Sequence, residues 1–124
     1  MSLFDWLLVG HLAADFLFQT DRVANNKGQS WPWMLRHIAI YMALIAVPVV
    51  AFALSHASSF WVAGAVLLLI AATHIILDRR GFTLRWMRLI GISPDLPWLS
   101  IVIDQVFHVL ILAIAAEVLV LASR

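Results

Sequence analysis

Hydrophobic residues along this chain gather into four long runs, which are separated by three shorter and more polar links. The runs extend roughly over Leu3 to Gln19, Trp33 to Leu54, Phe60 to Asp78 and Pro97 to Ala122. A helix needs about 20 mostly apolar residues to cross the hydrocarbon core of a bilayer. The pattern therefore predicts an all-α fold, an integral membrane four-helix bundle that forms a single transmembrane domain over residues 1–124. The first of the four spans is short.

The composition favours a membrane protein and argues against several other classes. The chain is 64% hydrophobic and 12% charged, whereas soluble domains are about 45–50% apolar and about 25% charged. Its formal net charge of +1 indicates no nucleic-acid partner, and the lack of cysteine excludes disulfides and thiolate metal ligands. The N-terminal residues do not form the basic segment of a signal peptide, so the first run is predicted to be a retained helix.

Basic residues concentrate in two of the three links and so predict the orientation of the chain. Arg22, Lys27 and Arg36 lie in or beside the first link, and Arg79, Arg80, Arg85 and Arg88 lie in the third. Cytoplasmic loops carry an excess of Lys and Arg, so both links are predicted to be cytoplasmic and both termini to lie on the outer side. Within the third link, Phe82 and Trp86 share one helical face and arginines occupy another, which predicts a short interfacial helix.

Polar and ionisable residues recur at intervals of four on three of the predicted spans. Residues four apart share one face of a helix, and ionisable groups inside a bilayer are rare because each costs about 2.5–3.5 kcal/mol. These residues are His11, Asp15 and Gln19 on the first span, His37 near the start of the second, His74 and Asp78 on the third, and Asp104, Gln105 and His108 on the fourth. At about 1.5 Å per residue, all of them fall in the half of the membrane nearest the basic links.

Imidazole and carboxylate groups gathered at one depth are the ligand types of a divalent metal. Zinc is favoured most, and iron or manganese also accepts these donors. The predicted metal ligands are His11, Asp15, His37, His74, Asp78, Asp104 and His108. The predicted catalytic groups are Asp15, Asp104, Gln19 and Gln105. A carboxylate outside the ligand set would act as a general base, and the glutamines would orient ligands or stabilise developing negative charge.

A purely structural interpretation of the same residues also exists. Polar side chains hold membrane helices together by hydrogen bonds worth about 0.6–2 kcal/mol each. A histidine and an aspartate one turn apart can also satisfy each other. The occurrence of such groups at one depth on all four spans favours a functional site over this interpretation.

Four blocks of the sequence carry a resemblance that extends over most of the chain. They are His11-Leu12-Ala13-Ala14-Asp15-Phe16-Leu17-Phe18-Gln19-Thr20-Asp21 with Asn26-Lys27, then His37, then His74-Ile75-Ile76-Leu77-Asp78, and finally Asp104-Gln105-Val106-Phe107-His108. In this order they resemble a bacterial membrane-protein family catalogued as domain of unknown function 3307. The resemblance implies a small multi-pass protein of the bacterial inner (cytoplasmic) membrane and brings no assigned reaction. More loosely, the pattern resembles small intramembrane metal-dependent hydrolases.

Four hypotheses about function follow from this pattern. The first is an intramembrane metal-dependent hydrolase of an amphiphilic or lipid-linked substrate, with a site open to the cytoplasmic leaflet. The second is a proton- or cation-coupled transport or binding module, which four short spans would support only as a homo-oligomer or with a partner. The third is a haem protein with axial histidines, although three buried aspartates argue against it. The fourth is an accessory subunit of a larger membrane complex.

Overall fold

The computed structural model describes residues 1–93 and 95–124, and within them the fold is entirely helical, with no strand. The helices are α1 (Leu3–Leu12), which continues as a π-helical segment (Ala13–Leu17), α2 (Asp21–Asn26), α3 (Trp31–Ser55), α4 (Phe60–Asp78), α5 (Gly81–Leu89) and α6 (Pro97–Leu121). The prediction of an all-α chain is therefore confirmed.

Three of these helices, α3, α4 and α6, are long and apolar enough to cross a membrane. They comprise 25, 19 and 25 residues, and each contains an 18-residue stretch with a mean hydropathy of 2.4, 2.3 and 2.2, respectively. Helices of this kind indicate a membrane protein. The bounds of α4 are those predicted from the sequence, whereas α3 begins two residues earlier, at Trp31. Its second residue is Pro32, and proline is well tolerated in a first turn because the N–H it lacks would be unpaired there.

The first apolar run ends earlier than predicted, at Leu17 instead of Gln19. The side-chain amide of Gln19 donates to the carbonyl of Asp15 (2.9 Å), which satisfies one of the carbonyls left over at a helix end. Thr20 then caps α2, because its side-chain oxygen accepts from the N–H of Val23 (3.4 Å). The polar first link thus contains a short helix that the hydrophobic pattern did not predict.

The long helices pack around a common apolar core. Helix α1 packs against α3 and α6, and α4 packs against the same two helices. Each contributes an inward stripe, and Leu7, Ile45, Ile70 and Leu112 are at most 1% exposed. The opposite faces are apolar and open, as at Leu68, whose exposed fraction is 71%. An apolar outer face of this extent is what a lipid-covered surface requires.

Gly10 allows α1 to approach α3 closely, one residue before the buried His11. A Cβ atom added at Gly10 would lie 3.4 Å from the carbonyl oxygen of Leu44 and 3.5 Å from Cδ1 of Ile45. A small residue at such a crossing is common between membrane helices, because close packing replaces the hydrophobic driving force that lipid does not supply.

Replacing Gly10 with leucine is expected to destabilise the protein by about 1–3 kcal/mol, because the side chain would have to push α1 away from α3. Gly64→Leu is the matched control, since Gly64 is exposed and a Cβ added there meets no atom within 4 Å. Thermal unfolding in detergent would measure both variants. Equal midpoints would show that the α1–α3 crossing is not tightly packed.

Candidate metal centre

Buried histidines and aspartates from four helices meet at the end of the molecule that carries α2 and α5. The residues at most 4% exposed are His11, Asp15, His37, His74, Asp78 and His108. The imidazole rings lie close to one another, with centroids 5.1 Å apart for His11 and His108, 5.1 Å for His37 and His74, and 4.6 Å for His74 and His108. The spacing of four residues predicted a polar stripe on each helix, and the packing brings these stripes into one cluster.

Four of the predicted ligands present donor atoms that all lie within 4.8 Å of one another: Asp15, His74, Asp78 and His108. His74 Nε2 is 3.7 Å from Asp15 Oδ1 and 3.1 Å from Asp78 Oδ2, and His108 Nε2 is 3.8 Å from Asp78 Oδ1. Four ligands at about 2.1 Å from a tetrahedral zinc ion are about 3.4 Å apart. These three separations bracket that value, whereas the full set extends to 4.8 Å, so side-chain movements would be needed to close all four donors on one ion.

Several atoms of this cluster are buried without a hydrogen bond. Asp15 Oδ1, Asp78 Oδ2 and His108 Nε2 are enclosed and make no hydrogen bond of acceptable geometry within the described residues, although His37 Nε2 lies 3.1 Å from each of the two oxygens. A buried acceptor left in this condition costs about 1–3 kcal/mol, and more when it is charged. The ammonium group of Lys27 lies 2.8 Å from Asp78 Oδ2 and already places positive charge beside this oxygen, and a metal ion would add a ligand for Asp15 Oδ1 and His108 Nε2. The donor set therefore fits a metal in its chemistry.

His37 on α3 lies beside three of these four donors and outside the set of four. Its Nε2 atom lies 3.1 Å from Asp15 Oδ1, 3.1 Å from Asp78 Oδ2 and 2.9 Å from His74 Nε2. Adjacent ligands of an octahedral ion with bonds of about 2.1 Å are about 3.0 Å apart. His37 therefore has this spacing to three of the donors, on the side of the cluster that faces α2.

Lys27 belongs to the cluster, although sequence analysis did not place it there. Its Nζ atom lies 2.8 Å from Asp78 Oδ2, 3.2 Å from His37 Nε2 and 3.9 Å from Asp15 Oδ1. The residue caps the end of α2, and the packing of α2 against α3 carries the ammonium group inward. Lys27 is the only lysine of the chain and stands in the first sequence block that carries the family resemblance, and these were the available signals.

The side chains of Gln105 and His11 lie near the other carboxylate oxygen of Asp15, Oδ2. His11 Nε2 is 2.9 Å from Gln105 Oε1, and Gln105 Nε2 donates to Asp15 Oδ2 at 3.3 Å. Since Gln105 Oε1 can only accept, His11 donates through Nε2. His11 Nδ1 lies 3.9 Å from Asp15 Oδ2 and is outside the set of four donors. Asp15 itself sits in the π-helical segment, a deviation that often occurs at functional sites.

Asp104 lies behind His108 and outside the set of four donors. His108 Nδ1 lies 2.9 Å from the backbone carbonyl oxygen of Asp104 and 3.4 Å from Asp104 Oδ2. Thr83 Oγ1, on α5, donates to Asp104 Oδ1 at 3.0 Å. His108 Nε2 points the other way, toward Asp78. Ligating histidines commonly hold their second nitrogen against a carboxylate or a carbonyl in this manner. Thr83 carried no signal in the sequence, because nothing there indicates which α5 residue faces α6.

A cavity of about 170 Å³ adjoins the cluster. Its polar wall contains three carboxylates, from Asp15, Asp78 and Asp104, and the side chains of Gln19 and Gln105, and the two cations Lys27 and Arg80 lie at its edge toward α2 and α5. Its remaining wall is partly apolar and includes Phe16, Leu84 and Ile101. A space with one acidic and one apolar wall suits a molecule that is itself amphiphilic.

The fold and the cluster together define a class: helical membrane proteins with a buried histidine–aspartate centre at one end of the helices. The sequence model of a family described as "Protein of unknown function (DUF3307)" matches residues 3–124, and the chain belongs to this family. The resemblance seen in the sequence blocks is thereby confirmed. No curated protein and no protein of solved structure shows a detectable match.

Proposed function

We propose that this protein is an intramembrane metal-dependent hydrolase that acts on an amphiphilic substrate. The observation that supports this most is the convergence of four donor atoms, from Asp15, His74, Asp78 and His108, beside a cavity with acidic and apolar walls. Zinc is the metal that this mixture of imidazole and carboxylate donors favours, with iron or manganese as the other candidates.

The proposed membrane arrangement is a four-helix bundle in the inner membrane, with both termini on the outer side. Helix α1 and its π-helical segment are shorter than the other three, yet they pack between α3 and α6 and expose apolar side chains such as Val9, Leu12 and Phe16. The basic residues around α2 and α5 favour a cytoplasmic position for that end. The metal centre would then open toward the cytoplasmic leaflet.

The residues around the centre have distinct roles in this proposal. Asp15, His74, Asp78 and His108 would hold the metal, and His37 would complete its coordination. When bound, a divalent ion of this kind activates water and polarises the bond that is to be hydrolysed. Asp104, which lines the cavity, would take up the proton released as water attacks. Gln105 and Gln19 would keep Asp15 in place through the hydrogen bonds described above.

Two other hypotheses have less support from the packing. A proton or cation relay across the membrane needs polar groups along its path, but the core between the cluster and the opposite end is formed by apolar residues such as Leu7, Ile45 and Leu112. A haem needs a slot between its axial histidines, whereas the imidazole rings of this cluster pack against one another at 4.6–5.1 Å.

Incubation of the zinc-loaded protein with a total bacterial lipid extract tests the proposed activity. Mass spectrometry of the mixture is expected to show a lipid species that is consumed only by the wild type, and not by the His74→Ala variant or after treatment with a chelator. Absence of bound metal, after purification without chelators and after reloading with zinc, manganese and iron, would reject the proposal.

The Asp104→Asn variant tests whether Asp104 orients His108 or binds the metal itself. If Asp104 orients His108 from the Nδ1 side, its amide variant is expected to weaken zinc binding by about 10–100-fold without abolishing it. Competition with a fluorescent chelator measures this affinity. A complete loss of zinc, equal to that of His74→Ala, would make Asp104 a ligand, as the sequence alone predicted.

A further inference from the structure

A second cavity, of about 290 Å³, lies beside the acidic one and has the opposite charge. Lys27, Arg79 and Arg80 line it, together with a single carboxylate, that of Asp78. Lys27, Asp78 and Arg80 also line the acidic cavity, so the two spaces adjoin at these side chains. An excess of positive charge on one side of the metal centre is suited to bind an anion.

The two arginines of this basic cavity have hydrogen-bonding capacity that the chain does not use. Nη1 of Arg79 is buried and has no hydrogen-bond partner within residues 1–93 and 95–124. The guanidinium group stacks over the ring of Trp31, 4.5 Å from its centroid, which holds it in place. Arg80 forms no ion pair with any carboxylate in the described part of the chain.

The backbone at Arg80 adds a second observation. Arg80 has a φ of 57°, in the left-handed region that favours glycine, and its N–H donates to the carbonyl of Leu77 at 2.7 Å. A non-glycine residue in this conformation is disfavoured by about 1–2 kcal/mol. This residue forms the turn between α4 and α5, and from that turn Arg79 and Arg80 both line the basic cavity.

We propose that the basic cavity binds the phosphate group of a membrane lipid, and that this phosphate is the headgroup of the substrate. Guanidinium groups bind phosphate oxygens through paired hydrogen bonds, and basic pockets between helices on the cytoplasmic side of a membrane take lipid headgroups. The cavity also touches Leu84, which lies on the apolar wall of the acidic cavity. A lipid phosphate in the basic cavity would therefore place the neighbouring bonds of the same molecule beside the metal centre.

The identification of this lipid as the substrate rests on the proposed hydrolase function, whereas the binding of the phosphate does not. The three cations that line the basic cavity are side chains of the protein, so binding of the phosphate requires no bound metal. It can therefore be measured without turnover, using the detergent-purified protein and a fluorescent short-chain phosphatidic acid in neutral detergent micelles. Fluorescence polarisation reports the dissociation constant.

The test compares two double variants that each remove two positive charges from the same corner of the molecule. Arg79→Gln with Arg80→Gln is expected to weaken binding of the phosphatidic acid at least tenfold. Arg85→Gln with Arg88→Gln, on the exposed part of α5, is expected to change it less than twofold. Equal losses in both variants would indicate diffuse attraction to a basic surface and would overturn the proposal, as would no loss in either.

Two further measurements identify the ligand and separate the two proposals. Inorganic phosphate and phosphatidylcholine are added as competitors, and neither is expected to displace the probe at the concentrations at which unlabelled phosphatidic acid does. Displacement by inorganic phosphate at equal concentration would overturn the assignment to a lipid. Arginine-dependent binding by a protein that never holds metal would reject the hydrolase and retain the cavity, whereas a metal-loaded protein without such binding would reject only the cavity.

Discussion

Replacing His74 with alanine is expected to reduce the zinc content of the purified protein from about one ion per chain to less than about a tenth of that value. His74 Nε2 lies within 3.1 Å of Asp78 Oδ2 and 3.7 Å of Asp15 Oδ1, so its removal takes one donor from the centre of the set. Asp78→Asn is expected to have the same effect, because it removes the negative charge of a carboxylate that lies next to both His74 and His108. Elemental analysis by mass spectrometry gives the metal-to-protein ratio.

Two matched controls decide whether a loss of zinc is specific to the cluster. His56→Ala removes an exposed histidine at the opposite end of α3, and Asp21→Asn removes an exposed aspartate at the start of α2. Both variants are expected to keep the zinc content of the wild type. If His56→Ala lost zinc as His74→Ala does, the metal would be bound adventitiously and the cluster would be a structural polar core.

Replacing Lys27 with methionine is expected to raise the affinity for zinc about tenfold or more. The ammonium group lies 2.8 Å from Asp78 Oδ2, an oxygen that a bound metal would share. Two unit charges about 4 Å apart repel each other by about 4 kcal/mol at an effective dielectric constant of about 20. Methionine keeps most of the length of the side chain and removes the charge, so the competition between the two cations ends.

The same variant is expected to be less stable than the wild type when both are stripped of metal. Lys27 has a side chain that is only 11% exposed, and it is the one ammonium group near Asp15 and Asp78. Removing one partner of a buried charge pair costs about 3–5 kcal/mol, because the remaining charge stays desolvated. Thermal unfolding with and without zinc measures this difference, and zinc should restore most of the lost stability.

Arg22→Met is the control for Lys27→Met. Arg22 is an exposed cation on α2, five residues before Lys27 and outside the cluster. If both variants bound zinc equally well, the effect of Lys27 would be one of overall charge and not of contact with Asp78. An unchanged zinc affinity in Lys27→Met would place the metal away from this lysine.

Much of the helical architecture could be predicted from the sequence, because hydrophobic runs of the required length leave few alternatives in a bilayer. α4 has the predicted bounds, and α3 and α6 differ from prediction by one or two residues at their ends. Helix α2 was missed because its six residues, which include two asparagines, carry no apolar pattern. This helix forms because Thr20 caps its N-terminus and because its own residue Val23 is buried. The burial of Val23 is a tertiary contact.

The sequence indicated which histidines and aspartates share a helical face, but it indicated neither Lys27 nor the arrangement of atoms within the cluster. The spacing of four residues placed His74 with Asp78 and Asp104 with His108, since residues one turn apart must share a face. This spacing does not distinguish the role of Asp78 from that of Asp104. In the structure Asp78 contacts Nε2 of both His74 and His108, whereas Asp104 lies against Nδ1 of His108. This difference depends on how each helix is rotated about its own axis.

Helical periodicity and the length of a membrane span are local properties, so the amino-acid sequence was enough to predict an apolar helical chain with histidines and aspartates gathered toward one end. Helix packing, in contrast, selects which of these atoms converge, brings Lys27 to them, and sets an acidic and a basic cavity side by side. These features depend on distances between residues far apart in the chain. Such distances are set by close contacts, as where Gly10 meets α3, and by turns, as at Arg80.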